Sequence, residues 1–220
     1  MSDLSDFLGG GNSVLRRQLF TVSGTWTKSA NIIGEQVFIT AIGGGGSGNR
    51  TSSELSGGCS GAYIIRLPVD VSATSSESVT VGSGGAAISS GTNENGAAGS
   101  ASSFGSLVSV LGAVAVQNFG GYVTTLSGQN PGIQGSGFLC PISGIFGATV
   151  APVDDGNTRG VGGSGLLLDT TGIKGGDGDS NRLAPGGNGY GAGGGANGIA
   201  GASSGAGADG AVLVEWMEKV

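Results

Sequence analysis

Short segments in which apolar and polar residues alternate recur along the chain, and clusters of glycine and serine separate them. A period of two residues is typical of β-strands with one buried face. In the clearest segment, residues 63–71, we predict that one face carries Tyr63, Ile65, Leu67, Val69 and Val71. Pro68 lies within this segment and cannot donate to a sheet ladder, so we expect an edge strand or a bulge there.

Similar alternation predicts further strands at residues 19–27, 36–42, 78–82, 104–116 and 210–216. In the first of these, Phe20, Val22 and Trp26 share a face if a bulge lies at Gly24. Helical patterning is confined to residues 2–8, where Ser2 can cap a single turn. The sequence therefore predicts an all-β fold, with a small sheet or sandwich formed by strands from both ends of the chain.

Residues 186–210 contain hardly any side chain that can bury apolar area, yet they lead directly into the last predicted strand. Taken every third residue from 186, nine positions carry only small residues, and all but Ala192 and Ser204 are glycine: Gly186, Gly189, Gly195, Gly198, Gly201, Gly207 and Gly210. A period of three is typical of polyproline-II-type helices, which place one residue per turn at a crowded contact. We therefore predict polyglycine-II-like left-handed segments that pack side by side through backbone hydrogen bonds.

Pairs of glycines with the same three-residue spacing, such as Gly58 with Gly61 and Gly82 with Gly85, fit the same structure. Chance explains such pairs equally well at this glycine content. The stretch Gly43-x-Gly45-x-x-Gly48 also spells the dinucleotide-binding fingerprint. That fingerprint requires a helix immediately afterwards, and the residues that follow show no helical apolar stripe. A structural role for these glycines is favoured.

The composition supports a folded chain, because 37% of residues are hydrophobic and 11% are charged, despite 50 glycines among 220 residues. The net charge is −6, and Arg16-Arg17 is the largest basic cluster. Binding to nucleic acid or to an anionic membrane surface is therefore not expected. No apolar run is long enough to span a bilayer, so we expect no membrane insertion.

Candidate chemistry is sparse. The chain has no histidine and two cysteines, so we expect no catalytic activity, no metal site and no cofactor. Asp177, Asp179 and Asn181 alternate as in the first half of a calcium loop, but Asn188 occupies the position where an acidic residue is required. A polar loop is favoured there, and ion binding stays open.

Several pieces of the sequence, taken in order, closely resemble glycine-rich phage tail-fibre proteins: "LFTVSGTWTKSANI", "VFITAIGGGGSG", "GSASSFGSLVSVLGA" and "GADGAVLVEW". The resemblance covers residues 19–112 and 186–216 and extends, in the glycine motifs, to the tail-fibre adhesins of T-even-type phages. It implies a virion protein at the fibre or tail tip, synthesised in the host cytoplasm, that binds an outer-membrane protein or glycan. It also implies contacts with other virion proteins and a homo-oligomer, with a trimer as the usual state of fibres.

The sequence departs from this family at Ser29-Ala30-Asn31, where its members have proline and glycine, and in lacking the long fibre-attachment domain of the T-even adhesins. We therefore expect residues 1–18 to form an attachment segment. Residues 19–220 form the glycine-rich β domain, with a variable insertion at about 117–159. The apolar side of the attachment segment carries Leu4, Phe7 and Leu8.

Aromatic side chains in exposed loops are frequent anchors of binding surfaces. The insertion is the least glycine-periodic part of the chain, and its candidates for receptor binding are Phe119, Tyr122, Phe138 and Phe146. Tyr190, in the glycine run, is a further candidate. Two alternatives stay open: these aromatics form a small satellite core, or the protein is a purely structural virion component, such as a fibre connector or decoration, without receptor binding.

Overall fold

The computed structural model describes residues 13–51, 56–89, 93–116, 148–150, 159–162, 186–197 and 202–220. These residues form twelve strands and no helix. The strands are β1 (Ser13–Phe20), β2 (Gly24–Thr27), β3 (Gln36–Ile42), β4 (Arg50–Thr51), β5 (Tyr63–Asp70), β6 (Ser76–Thr80), β7 (Asn93–Glu94), β8 (Ser102–Phe104), β9 (Val108–Val110), β10 (Ala148–Val150), β11 (Arg159–Val161) and β12 (Ala211–Lys219).

Two four-stranded antiparallel sheets, with strand orders β1-β12-β3-β5 and β2-β6-β8-β9, enclose a common apolar core. Two small sheets, β4-β7 and β10-β11, lie outside them. The centre of the core is aromatic: the ring of Trp26 lies 5.4 Å from that of Phe104 and 6.0 Å from that of Trp216. The predicted all-β fold, with strands from both ends of the chain in one sheet, is confirmed.

The chain crosses from one sheet to the other between β1 and β2. Val22 lies in this crossing and is 74% exposed, while Gly24 begins β2 in the second sheet. The predicted bulge at Gly24 is therefore wrong, because the two halves of the segment belong to different sheets. The boundary that we expected at residue 18, between the attachment segment and the β domain, falls within β1.

A bulge does occur in β5, two residues before Pro68. The pairing with β3 shifts register between Ile39 and Ala41, and opposite this shift Arg66 adopts a φ of 51°. The backbone N–H of Arg66 donates to Thr40 Oγ1 at 3.0 Å. The bulge reverses the alternation of the strand, so the predicted face was wrong on its N-terminal side.

The burial of the side chains in β5 shows this reversal. Ile64 is buried, whereas Ile65, which we placed on the apolar face, is 55% exposed. After the bulge, Val69 and Val71 point into the core as predicted. β5 is the edge strand of its sheet, as the proline indicated.

Six strands of the sandwich continue directly into glycine-rich segments. Residues 43–49 follow β3, residues 81–88 follow β6 and residues 111–116 follow β9. Residues 56–62 precede β5, residues 96–101 precede β8 and residues 202–210 precede β12. Together with residues 187–197, they form a bundle of seven segments that extends from one end of the sandwich.

Candidate functional site

The central segment of this glycine bundle is Gly43–Asn49, in which every residue is buried. Its backbone N–H groups donate to three neighbouring segments in rotation, so that every third residue reaches the same neighbour. Gly43, Gly46 and Asn49 donate to the carbonyls of Ala62, Cys59 and Ser56, respectively, at 3.0, 2.9 and 3.0 Å. Gly44 and Ser47 donate to the carbonyls of Ser100 and Ala97, both at 2.9 Å. Gly45 and Gly48 donate to the carbonyls of Ala208 and Gly205 at 2.9 and 3.2 Å.

The carbonyl groups of the same segment accept hydrogen bonds from three other neighbours. The donors are Ala113 to Gly44 at 2.8 Å, Gly85 to Gly45 at 2.7 Å, Gly194 to Gly46 at 2.9 Å and Asn197 to Asn49 at 3.1 Å. A helix with three residues per turn directs its donors along three directions and its acceptors along three more. The central segment is therefore surrounded by six neighbours and bonded to all of them.

The helical type follows from the period and from φ. Three residues per turn without hydrogen bonds inside the segment is the geometry of polyproline II. Among the described glycines, those with positive φ are Gly34, Gly105, Gly189 and Gly191, so none belongs to the central segment. The central segment is therefore a left-handed, polyglycine-II-like helix of the kind that we predicted for residues 186–210.

Glycine is required in this centre because neighbouring backbones occupy the space of a side chain. A Cβ atom on Gly43 would lie 2.8 Å from the backbone nitrogen of Gly112, and one on Gly45 would lie 2.7 Å from the carbonyl oxygen of Gly191. Real Cβ atoms essentially never come within 3.0 Å of such atoms. The core of the bundle consequently consists mainly of backbone, with small side chains such as the cluster of Cys59, Ala113 and Val116, whereas the core of the sandwich consists of large side chains.

At the margin of the bundle, side-chain oxygens replace missing backbone acceptors. Residues 81–88 donate several of their N–H groups in this way: Val81 to Ser23 Oγ at 3.0 Å, Gly82 to Ser102 Oγ at 2.9 Å, Ser83 to Ser100 Oγ at 2.7 Å, Gly84 to Asp209 Oδ1 at 2.8 Å and Ile88 to Ser204 Oγ at 3.0 Å. Ser102 is fully buried, and its hydroxyl also donates to the carbonyl of Ile42 at 2.7 Å. We did not predict these acceptors from the sequence. The feature that could have indicated them is a serine hydroxyl or an aspartate carboxylate close to a glycine-rich segment.

Four of the predicted structural glycines, Gly189, Gly195, Gly207 and Gly210, belong to two segments of the bundle. A turn with positive φ at Gly189 and Gly191 lies near the start of the first of these segments. The carbonyl of Gly195 accepts from the N–H of Gly205 at 2.8 Å. Gly207 faces the backbone of the central segment, and Gly210 faces that of Ile42, the last residue of β3. Gly186 has more room, since a Cβ there would lie 3.2 Å from the nearest carbonyl oxygen; Gly198 and Gly201 lie outside the described residues.

Most of the predicted binding residues also lie outside the described residues. This applies to the candidates for receptor binding Phe119, Tyr122, Phe138 and Phe146, to the candidates for attachment Leu4, Phe7 and Leu8, and to the stretch 175–181. Tyr190 is described and half-buried. It lies beside Gly191, whose carbonyl accepts from Gly61 at 2.9 Å near the start of the bundle, so Tyr190 belongs to the sandwich end.

The distal end of the bundle is the end that lies away from the sandwich. The central segment runs from the sandwich at Gly43 to Asn49, and the partners of Asn49 are Ser56 and Asn197. Beyond Asn49, Arg50 pairs with Glu94 in the small β4-β7 sheet. Residues 111–116 also run away from the sandwich, so the insertion that follows them starts from this distal end.

Charged side chains form a second feature, on the outer face of the first sheet. Arg66 Nη1 lies 2.7 Å from Glu215 Oε2, and its guanidinium carbon lies 5.0 Å from the centre of the Phe38 ring. Arg17 approaches the other oxygen of Glu215 at 4.0 Å. Glu215 is buried while both arginines are exposed, so the charge that this cluster presents to solvent is positive.

Near the end of β12, Glu218 accepts hydrogen bonds from the hydroxyl of Ser29 and, at 2.6 Å, from Arg16 Nε. The Ser29 hydroxyl and then the Arg16 guanidinium hold the pKa of Glu218 below its usual value. Over the described ranges, the structure contains neither a group of three or more potential metal ligands nor a helix able to cross a bilayer.

A family model described as a glycine-rich domain matches residues 21–217. The match includes the second sheet, every segment of the bundle and three strands of the first sheet, while β1 precedes it. The comparison with curated proteins gave no match.

Proposed function

The chain belongs to the glycine-rich domain family, and we propose that it is a phage virion protein of the tail fibre or tail tip that binds a host-cell receptor during adsorption. The observation that carries this proposal is the bundle itself. Its core is made by backbone atoms of Gly43–Asn49 and six neighbours, so it remains intact whatever side chains the distal loops carry.

A rigid scaffold whose loops can change without cost to the core suits a protein that must follow changes in its receptor. Binding residues are disproportionately found on loops positioned by such scaffolds. The resemblance to glycine-rich phage tail-fibre proteins supports the same reading, because those proteins act at the host surface. The virion is accordingly the proposed location, with other tail proteins and an outer-membrane protein or glycan as partners.

The insertion at 117–159 is the first choice for the receptor surface. Val116, the last described residue before it, belongs to a segment that runs towards the distal end of the bundle. Tyr190 is a weaker candidate, because it is half-buried beside the sandwich end.

The test is binding of the fluorescently labelled protein to cells of candidate hosts. We expect Tyr122→Ala and Phe138→Ala to abolish binding while thermal unfolding stays unchanged. Val22→Ala serves as the matched control, since it removes a 74% exposed apolar side chain from the sandwich and should bind normally. Wild-type binding by both insertion variants would contradict the proposed surface.

A truncated form separates receptor binding from attachment. The truncation should remove residues 1–12 and not 1–18, because β1 begins at Ser13 and its loss would expose β12. We expect this form to bind cells as well as the full chain. If folded full-length protein binds no host cell, the protein is a structural virion component such as a connector or decoration.

A further inference from the structure

The four outer edges of the two main sheets are not equally protected against pairing with another strand. β2 and β9 are short, with 4 and 3 residues. β5 carries Pro68 and the bulge at Arg66, which both interrupt a ladder. Shortness, proline and bulges are three of the devices by which proteins block edge-to-edge pairing. β1 has none of these three, and its charged residues are the adjacent Arg16 and Arg17.

β1 is long and regular. Its eight residues pair with β12 without interruption, from Ser13 opposite Lys219 to Phe20 opposite Val212. Within the parts of the chain that the structure describes, no strand pairs with the other edge of β1. Leu15 is 42% exposed and the side chain of Arg17 is 68% exposed. β1 therefore presents a complete template for strand addition.

The charges on β1 discriminate between possible partners. In antiparallel pairing of two β1 strands over nearly their full length, an arginine falls opposite an arginine, because Arg16 and Arg17 lie at the centre of the strand. Like charges directly opposite each other destabilise a sheet. Glu215 and Glu218, the carboxylates near these arginines, have side chains that are 6% and 17% exposed, so the accessible charge is positive. A second copy is disfavoured, and an acidic strand is favoured.

We propose that the outer edge of β1 pairs with a strand of another protein that carries acidic residues opposite Arg16 and Arg17. Leu15, Arg17 and Leu19 lie on the same face of β1. The added strand should therefore carry an acidic residue opposite Arg17 and apolar residues two positions before and two positions after it, opposite Leu19 and Leu15. This inference does not depend on the proposed function, since the edge and its charges are the same in any setting.

The experiment measures binding of synthetic peptides to the full-length protein by fluorescence anisotropy. The probe is a short peptide with two adjacent glutamates at its centre, which face Arg16 and Arg17, and valines on either side. The controls are its lysine counterpart and a form with alternate amides N-methylated, which keeps the side chains but cannot complete a ladder. We expect the glutamate peptide to bind at least about tenfold more tightly than either control, since opposite and like charges act with opposite sign across a strand pair.

Arg17→Glu should reverse the preference towards the lysine peptide, whereas the same charge change at Lys28, away from the edge of β1, should leave it unchanged. Hydrogen exchange should slow at β1 amides when the peptide binds. Equal binding of the N-methylated form would overturn strand pairing, and equal binding of the lysine form would overturn the acidic partner. A concentration-dependent dimer of the wild-type protein in which hydrogen exchange slows at the β1 amides would instead identify a second copy as the occupant and overturn the proposal.

Discussion

Replacing Gly45 with alanine would place a methyl group where the backbone of a neighbouring segment already lies. The new Cβ would be 2.7 Å from the carbonyl oxygen of Gly191 and closer still to the carbonyl of Ala192. The two segments must therefore separate. The hydrogen bond that joins these two segments next to Gly45 runs from the N–H of Gly194 to the carbonyl of Gly46 at 2.9 Å, and the separation would leave this donor and this acceptor without partners.

The expected loss of stability follows from these contacts. Forcing extra carbon into a packed interior costs about 1–3 kcal/mol. Each buried backbone group left without its partner costs about 1–3 kcal/mol more, so two of them bring the total to about 3–9 kcal/mol. A domain is stabilised by about 5–15 kcal/mol in all. Gly45→Ala should therefore remove a large part of the stability, although the side chain added is the smallest possible.

Urea unfolding followed by tryptophan fluorescence measures this effect, because Trp26 and Trp216 both lie in or against the sandwich core. Gly24→Ala is the matched control, since its Cβ would meet nothing nearer than the Phe20 ring at 3.5 Å. Gly46→Ala should be intermediate, with the nearest atom at 3.2 Å. Equal midpoints for Gly45→Ala and Gly24→Ala would refute a core built from backbone.

Substitutions at three further positions test other parts of the structure. Ser102→Ala leaves one buried donor and one buried acceptor without partners and should lower the free energy of unfolding by about 2–6 kcal/mol in urea titration. Arg66→Gly should be more stable than Arg66→Ala by about 1 kcal/mol, since both lose the ion pair while glycine accepts a φ of 51° without strain. The folded pKa of Glu218 is lowered, so its contribution to stability is present above the unfolded pKa and is lost as pH falls through the folded one. The difference in Tm between wild type and Glu218→Gln should accordingly shrink as the pH is lowered below about 4.

The hydrophobic and glycine patterns of the sequence predict the structure where one face of a segment packs against a neighbouring element and the other face meets solvent. In residues 202–210, two glycines of the predicted phase, Gly207 and Gly210, do face neighbouring backbone, as the three-residue period indicated. The central segment, Gly43–Asn49, shows no such period because all three of its phases meet a neighbour. The absence of a three-residue period in this segment therefore indicates its central position. From the sequence alone, the four consecutive glycines at 43–46 are only a match to almost any glycine motif.

The strand predictions failed at Arg66 for a different reason. A bulge changes the alternation by one residue, and Tyr63 and Ile65 remain in phase with Leu67 in the sequence, so the pattern itself gives no warning. The hydroxyl acceptors were invisible because serine is common throughout the chain. The aromatic candidates of the insertion and the apolar residues of the N-terminal segment stay predictions, since they lie outside the described residues.

The central claim is that glycine backbones form a packed core, and hydrogen exchange of the Gly43–Gly48 amides measured by NMR tests it most directly. Each of these amides is buried and bonded to a different segment or turn of the bundle. The account predicts that they exchange as slowly as the amides of β3 and β12 in the sandwich. Exchange at the rate of an unstructured chain, while the sandwich stays protected, would contradict it.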